Sequence, residues 1–408
     1  MEAITCPGYE SVSGDAAVSL TGALDGVRVV AVEQAVSLPY CSFVLAELGA
    51  DVIKVERLDG DVIRNWDHTV RGLSTGYVWV NANKRSLTVD IQTPEGQAII
   101  RDLSKSADVF LENFTPGAMA RCGLDAPTLR SENSRLIYCS LSGYGQDGPY
   151  RDTKAYDLLV QGEAGVLATT GYPDAPAKVG IPLVDLAAGA NAAVGVMVAL
   201  YRRATTGEGA YLDIAMFESI VNWLGYFPHH YWHTGQELPR TGMRHQFICP
   251  YGPYQAKDGK YVNVSVANEE DWRRFCLNVV ERPEWLADSR FDSIEARLRH
   301  RSELEAMVEA AIVAENHDHW LVRLSAASLP YGEVRNIREV LDHPQLVARA
   351  VVVEADSPVG RIPMVRYPLA DASVTRRIPG LGEHTGDILA ELGYDFAKIA
   401  SLRERRVV

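Results

Sequence analysis

From Gly26 onward, short runs rich in valine and isoleucine alternate with longer segments of helical period, and this alternation narrows the possible folds more than any other feature. Residues 27–33 form a buried-strand run, 39–48 a helix closed by Gly49, and 52–56 a second strand. Strands are expected again at 86–91, 107–112, 135–141 and 210–217. A helix opens at Thr93-Pro94-Glu95, where threonine caps free amides and proline suits the first turn. Strands separated by helices cross over and pair in parallel, so the expected fold is α/β with an open Rossmann-like sheet.

A long helix beginning near Asp185 precedes a change of texture. Residues 251–255 and 261–266 read as strands around the turn Lys257-Asp258-Gly259, with helices at 268–280 and 293–314. The 408 residues exceed one ordinary domain. The expected parts are an N-terminal extension (1–23), the N-terminal part of a large domain (24–220), a smaller α+β domain (221–330) and a mixed C-terminal segment (331–408) with a basic tail.

Composition removes several classes of function. A net charge of −13 would repel a phosphate backbone, so no nucleic-acid partner is expected, although a few local lysines and arginines can still bind a small anion. The cysteines Cys6, Cys41, Cys122, Cys139, Cys249 and Cys276 lie far apart without a paired spacing, which fits reduced thiols and a cytoplasmic location better than disulfides or zinc. The first 23 residues hold Glu2, Glu10 and Asp15 and no apolar run, unlike a signal peptide. Residues 183–200 approach the length of a membrane span, but Asp185 and Asn191 inside an Ala/Gly-rich run favour a packed helix, and no membrane partner is expected.

Two signals point elsewhere and fail in context. Gly143-Tyr144-Gly145-Gln146-Asp147-Gly148 follows a strand, as a dinucleotide loop would, yet Pro149 and Tyr150 continue as loop and the strand comes late. His229 and His233 have helical metal-ligand spacing but lie among aromatic residues with no acidic third ligand, so no metal is expected. No G-x-S-x-G hydrolase elbow is present.

A set of spaced motifs runs through the chain: Leu24-Asp25-Gly26-Val27-Arg28, Leu48-Gly49-Ala50-Asp51-Val52-Ile53-Lys54-Val55-Glu56-Arg57, Asn83-Lys84-Arg85-Ser86, Glu112-Asn113-Phe114-Thr115-Pro116-Gly117, Gly143-Tyr144-Gly145 and Gly382-Glu383-His384-Thr385. Together, over about residues 24–394, they resemble the class III CoA-transferase family, which includes formyl-CoA transferase, carnitine CoA-transferases and α-methylacyl-CoA racemases. The resemblance implies a catalytic aspartate at Asp185 and CoA contacts at Val36, Arg57, Lys84, Asn113, Phe114, Arg121 and Lys154. It implies an interlinked homodimer whose large domain is built from both ends of the chain, with CoA or acyl-CoA as substrate and no tightly bound cofactor. The chemistry agrees: an aspartate in the first turn of a helix stays ionised beside the positive helix end and can attack a thioester. Read from the residues alone, a simple helix cap is the favoured role for Asp185, and only the motif context makes it the nucleophile.

Within that family, racemisation needs two proton-transfer groups, and the racemases have Gly-His-Asp where this chain has Ala155-Tyr156-Asp157. Tyrosine is a poor base at neutral pH, so transfer is favoured and Tyr156 would position substrate. The glycine run of formyl-CoA transferase is replaced by Thr241-Gly242-Met243-Arg244-His245-Gln246-Phe247-Ile248-Cys249-Pro250. That segment resembles relatives that handle C4–C5 dicarboxylic acids such as mesaconate, citramalate, malate or succinate, with Arg244 or His245 holding the distal carboxylate. A racemase-like enzyme and a non-catalytic CoA-binding homologue are the alternatives.

Overall fold

The computed structural model describes residues 19–408; most of the expected N-terminal extension, and Cys6, lie outside the described residues. Contacts divide the chain into two units.

The larger unit holds the described residues up to Ala155, then Asp185–Met216 and Arg349–Val408. Its centre is a six-stranded sheet of β1 (Arg28–Val32), β2 (Asp51–Glu56), β3 (Lys84–Thr88), β4 (Val109–Glu112), β5 (Ile137–Ser142) and β6 (Tyr211–Ala215), in the order β3-β2-β1-β4-β5-β6. Every neighbouring pair is parallel, with Val29 beside both Val52 and Val109. Parallel strands bury both faces, which is why they read as nearly continuous apolar runs. Helix α1 (Ser37–Glu47) joins β1 to β2, and α2 (Pro94–Ser106) joins β3 to β4. Thr93 caps α2 as expected, its hydroxyl accepting from Gly96 N at 3.0 Å.

The face carrying Val30, Val32, Ile53, Val55 and Phe110 packs with Ile99, Ile100 and Leu103 of α2, and with Ile388, Leu389, Ile399 and Leu402 from the end of the chain. The motif around His384 makes this return possible. His384 N donates to Ser86 O at 3.0 Å, its Nδ1 accepts from Ser86 N at 3.2 Å, and Thr385 Oγ1 accepts from Thr88 N at 3.1 Å. Backbone groups of the edge strand β3 are thereby satisfied by the C-terminal segment.

Helix α3 (Leu183–Thr206) is long and apolar enough to cross a bilayer by length and composition. It buries Ala187, Ala188, Ala192, Ala193, Val196 and Ala199, while Val194, Val198 and Tyr201 stand exposed at i, i+4, i+7.

The smaller unit comprises Tyr156–Val184 and Phe217–Ala348. The expected hairpin forms β7 (Tyr251–Gln255) and β8 (Tyr261–Ser265), and β9 (Tyr331–Glu333) adds antiparallel to β8. That pairing ties residues 331–348 to the smaller unit, where the sequence placed them in the C-terminal segment. Residues 156–184 also join it: Gly242 N donates to Gly171 O at 2.8 Å and Arg240 Nε to Tyr172 O at 2.8 Å. The helix expected over 293–314 breaks at His300 into Ile294–Arg299 and Arg301–Ile312.

Candidate functional site

In the strand order, β1 and β4 are neighbours whose connections leave in opposite directions, which opens a crevice beyond their carboxyl ends. The two loops at this switch point are stitched together. Gln34 N donates to Asn113 Oδ1 and Asn113 Nδ2 donates to Gln34 O, each at 2.9 Å. Asn113 therefore braces the β1–α1 loop. Val36, which starts α1, has no oxygen to cap the helix, and its side chain is buried, so only its backbone can face the crevice. Phe114 is half-buried and packs on the core beneath β4.

Under the same loop lies a buried network of charges. Ala35 has φ +62°, and its amide donates to Asp61 Oδ1 at 3.1 Å. Asp61 also accepts from Lys54 Nζ at 2.8 Å, and Glu33 accepts from Lys84 Nζ and Ser42 Oγ at 2.8 Å each. All four charged side chains are sealed from solvent. Two cations balance two anions, which makes burial tolerable. Burial pulls the Lys54 ammonium down, but Glu33 and Asp61 outweigh it and hold it above the ordinary value. For Lys84 burial wins over Glu33, and its ammonium is lowered to about 8. Lys84, a CoA contact in the sequence reading, has its Nζ engaged inside the core by Glu33, Pro39 O at 2.9 Å and Asn81 Oδ1 at 3.0 Å.

Asp185 is the acidic residue in the first turn of α3 and is half-buried. Just before it, Val184 N donates to Asp157 Oδ1 at 2.8 Å, so Asp157 caps the incoming helix. One turn later, Gly189 meets the start of α1: a methyl group there would fall inside contact distance of Ser37 O and 3.2 Å from Tyr40 Cδ1. Residues four apart share a helix face, so this close approach turns the face carrying Asp185 toward the beginning of α1 at the switch point.

Cationic side chains stand at the same edge of the sheet. Arg57 follows β2, exposed, with a loose 3.4 Å contact to Asp59. Arg121 ends the short helix Ala118–Arg121 after β4, and Lys154 lies in the loop after β5; both are exposed. A cavity of about 350 Å³ opens beside β4 and β5, lined by Glu112, Thr115, Gly117, Tyr138, Ser140 and Gln146. Burial pushes the Glu112 carboxyl up to about 7, against the lowering effect of hydrogen bonds from Ser140 and Phe114 N.

In the smaller unit, Arg244 is engaged on every nitrogen. Its Nε bonds Glu305 at 2.7 Å, its Nη2 bonds Glu309 at 3.0 Å, its Nη1 donates to Pro253 O, and its guanidinium lies 4.1 Å over Tyr254. A group with all three nitrogens engaged holds its own unit together. His245 differs. Its ring stacks on Tyr251 at 5.0 Å and its Nδ1 accepts from Phe247 N at 3.1 Å, while burial and then Arg301 lower its pKa. The ring is therefore neutral with its proton on Nε2, a donor suited to a carboxylate. Tyr156, 73% exposed, precedes the helix Asp157–Glu163. His229 packs edge-on against Trp232 at 5.3 Å.

Sequence reasoning missed Gln34, Asp61 and Gly189. The last had a signal, a glycine inside a helical run, which marks a close approach of backbones.

Comparison with known proteins gives a single pattern. The model of the family described as CoA-transferase family III matches residues 24–385. Succinyl-CoA:glutarate CoA-transferase of Homo sapiens is 34% identical, over 94% of this chain and 90% of the relative. Succinyl-CoA–D-citramalate CoA-transferase of Chloroflexus aurantiacus is 32% identical, over 94% and 98%. The crystal structure of a CAIB/BAIF family protein from Brucella suis superposes with a TM-score of 0.79 at 33% identity, covering 90% of this chain and 99% of that one.

Proposed function

Since this chain belongs to CoA-transferase family III and is an enzyme of that class, we propose that it moves CoA between a dicarboxylic acyl-CoA and a free C4–C5 dicarboxylic acid through covalent intermediates on Asp185. The supporting observation is the placement of Asp185 in the first turn of α3, on the face that Gly189 presses against the start of α1.

The Asp185 carboxylate attacks the thioester carbonyl, and the carbon–sulfur bond breaks to release CoA thiolate and leave a mixed anhydride. The thiolate then attacks the aspartyl carbonyl, freeing the donor acid as its carboxylate and leaving an aspartyl-CoA thioester. The acceptor carboxylate reverses both steps and regenerates Asp185, with no net proton change. The positive end of α3 favours the ionised nucleophile, and the first-turn amides of α1 are suited to the oxyanion formed in each attack. Arg57, Arg121 and Lys154 supply cations for the CoA phosphates, with Asn113 and Phe114 shaping the crevice. In the smaller unit, Tyr156 and the Nε2 donor of His245 are the groups this reading gives to recognition of the acid. The relatives from Homo sapiens and Chloroflexus aurantiacus carry dicarboxylic acids in their names, which supports the acid class. A second copy of the chain covers Val194, Val198 and Tyr201 in this reading, as a homodimer.

Incubation with succinyl-CoA and hydroxylamine tests the intermediate: inactivation is expected only with both present, with a hydroxamate at Asp185. An Asp185→Asn protein should exchange labelled acid into the thioester at least about a thousandfold more slowly. Exchange at the unmodified rate would discard the proposal.

A further inference from the structure

Gly117 turns the chain between β4 and the helix Ala118–Arg121 with φ +80°, a conformation that favours glycine. Two guanidinium groups converge on it from different segments, Arg121 after β4 and Arg151 after β5. A methyl group on Gly117 would lie 3.6 Å from Arg121 Nη1 and 3.6 Å from Arg151 Nη2. Those nitrogens are thus at most roughly 7 Å apart, close enough for like charges to repel.

Both side chains are exposed, and neither is paired with a carboxylate among the described residues. Several arginines of this unit are matched with an acid: Arg64 with Glu56, Arg203 with Asp108, and Arg376 with Glu47. Two adjacent unmatched guanidinium groups flanking a residue without a side chain form a gap that an anion would fill.

We propose that Arg151 joins Arg121 in a clamp for the 3′-phosphate of CoA. This rests on the CoA-transferase reading and adds Arg151 to it. Charge-assisted N–H···O contacts are roughly 2.7–2.9 Å long, so one phosphate with two oxygens turned outward bridges nitrogens roughly 7 Å apart. A phosphomonoester carries nearly two negative charges at neutral pH, matching two guanidinium groups, whereas each phosphorus of the diphosphate linkage carries one. Glycine at position 117 keeps the space between them open.

The test compares succinyl-CoA with its 3′-dephospho analogue on the wild-type protein, Arg151→Gln and Arg151→Lys. Arg151→Gln is expected to raise KM for succinyl-CoA about five- to tenfold, an effect that weakens with salt because the site is exposed. The KM for the dephospho thioester should not move, and Arg151→Lys should recover part of the loss. Calorimetric titration with free CoA and dephospho-CoA should repeat the same pattern without turnover. Equal KM values for Arg151→Gln and wild type would overturn the clamp. So would an equal rise with both thioesters, which would place Arg151 on the diphosphate or in the fold. If CoA binding depended on Arg151 and the 3′-phosphate but no acid accepted CoA, the clamp would stand and the transferase reading would fall.

Discussion

Replacing Gly189 by alanine probes the link between helix packing and chemistry. The added methyl would intrude on Ser37 O and touch Tyr40 Cδ1 at 3.2 Å, and the first of these is backbone that cannot rotate aside. A carbon–oxygen contact needs roughly 3.3 Å, so α3 and α1 must separate by about 1 Å. On an unpacked helix the same change stabilises by about 1 kcal/mol, because alanine is the better helix former. Overpacking typically costs about 1–3 kcal/mol, so the net change runs from near zero to about 2 kcal/mol of destabilisation. The effect on rate should be larger, since Asp185 lies one turn away on the displaced face, and a shift of about 1 Å in a reacting group can cost about a hundredfold. Urea unfolding and initial rates of CoA exchange measure the two effects separately. A variant more stable than wild type, with unchanged kcat, would refute the close approach and the positioning argument with it.

Asn113→Ala removes both hydrogen bonds to the Gln34 backbone and should destabilise by about 1–3 kcal/mol in urea unfolding; no loss would mean that the switch-point loops do not depend on this brace. Lys84→Met leaves Glu33 buried and short of a partner, for an expected loss of roughly 3–5 kcal/mol. Its folded fraction should keep the wild-type KM for acyl-CoA, and a raised KM would return Lys84 to the CoA site. Glu112 titrates at about 7 in the folded protein against an ordinary 4.5, so the native state holds its proton more tightly. That contribution, about 3 kcal/mol, is complete below the ordinary value and disappears as the pH rises through the folded one. Glu112→Gln should therefore flatten the fall in Tm between about pH 5 and about pH 8, and an equally steep fall in the variant would contradict the buried carboxyl.

The alternating runs identified the six sheet strands, five to within two residues and β3 starting two and ending three residues early, and the Thr93 cap and the hairpin around Lys257-Asp258-Gly259 lie where the sequence predicts. These features depend on neighbours within a turn or a pleat, so a local pattern carries them. Asp185 was singled out for a different reason, as part of a set of motifs spread along the chain. The order β3-β2-β1-β4-β5-β6 is not local, and it alone brings Gln34 to Asn113, 79 residues apart. Lys84 and Arg244 show the limit on the chemical side. In sequence each is a cation of unknown surroundings, and whether it meets solvent or a carboxylate depends on segments dozens of residues away. Glu33 closes over one, Glu305 and Glu309 capture the other, and only the packed chain decides between a binding charge and a structural one.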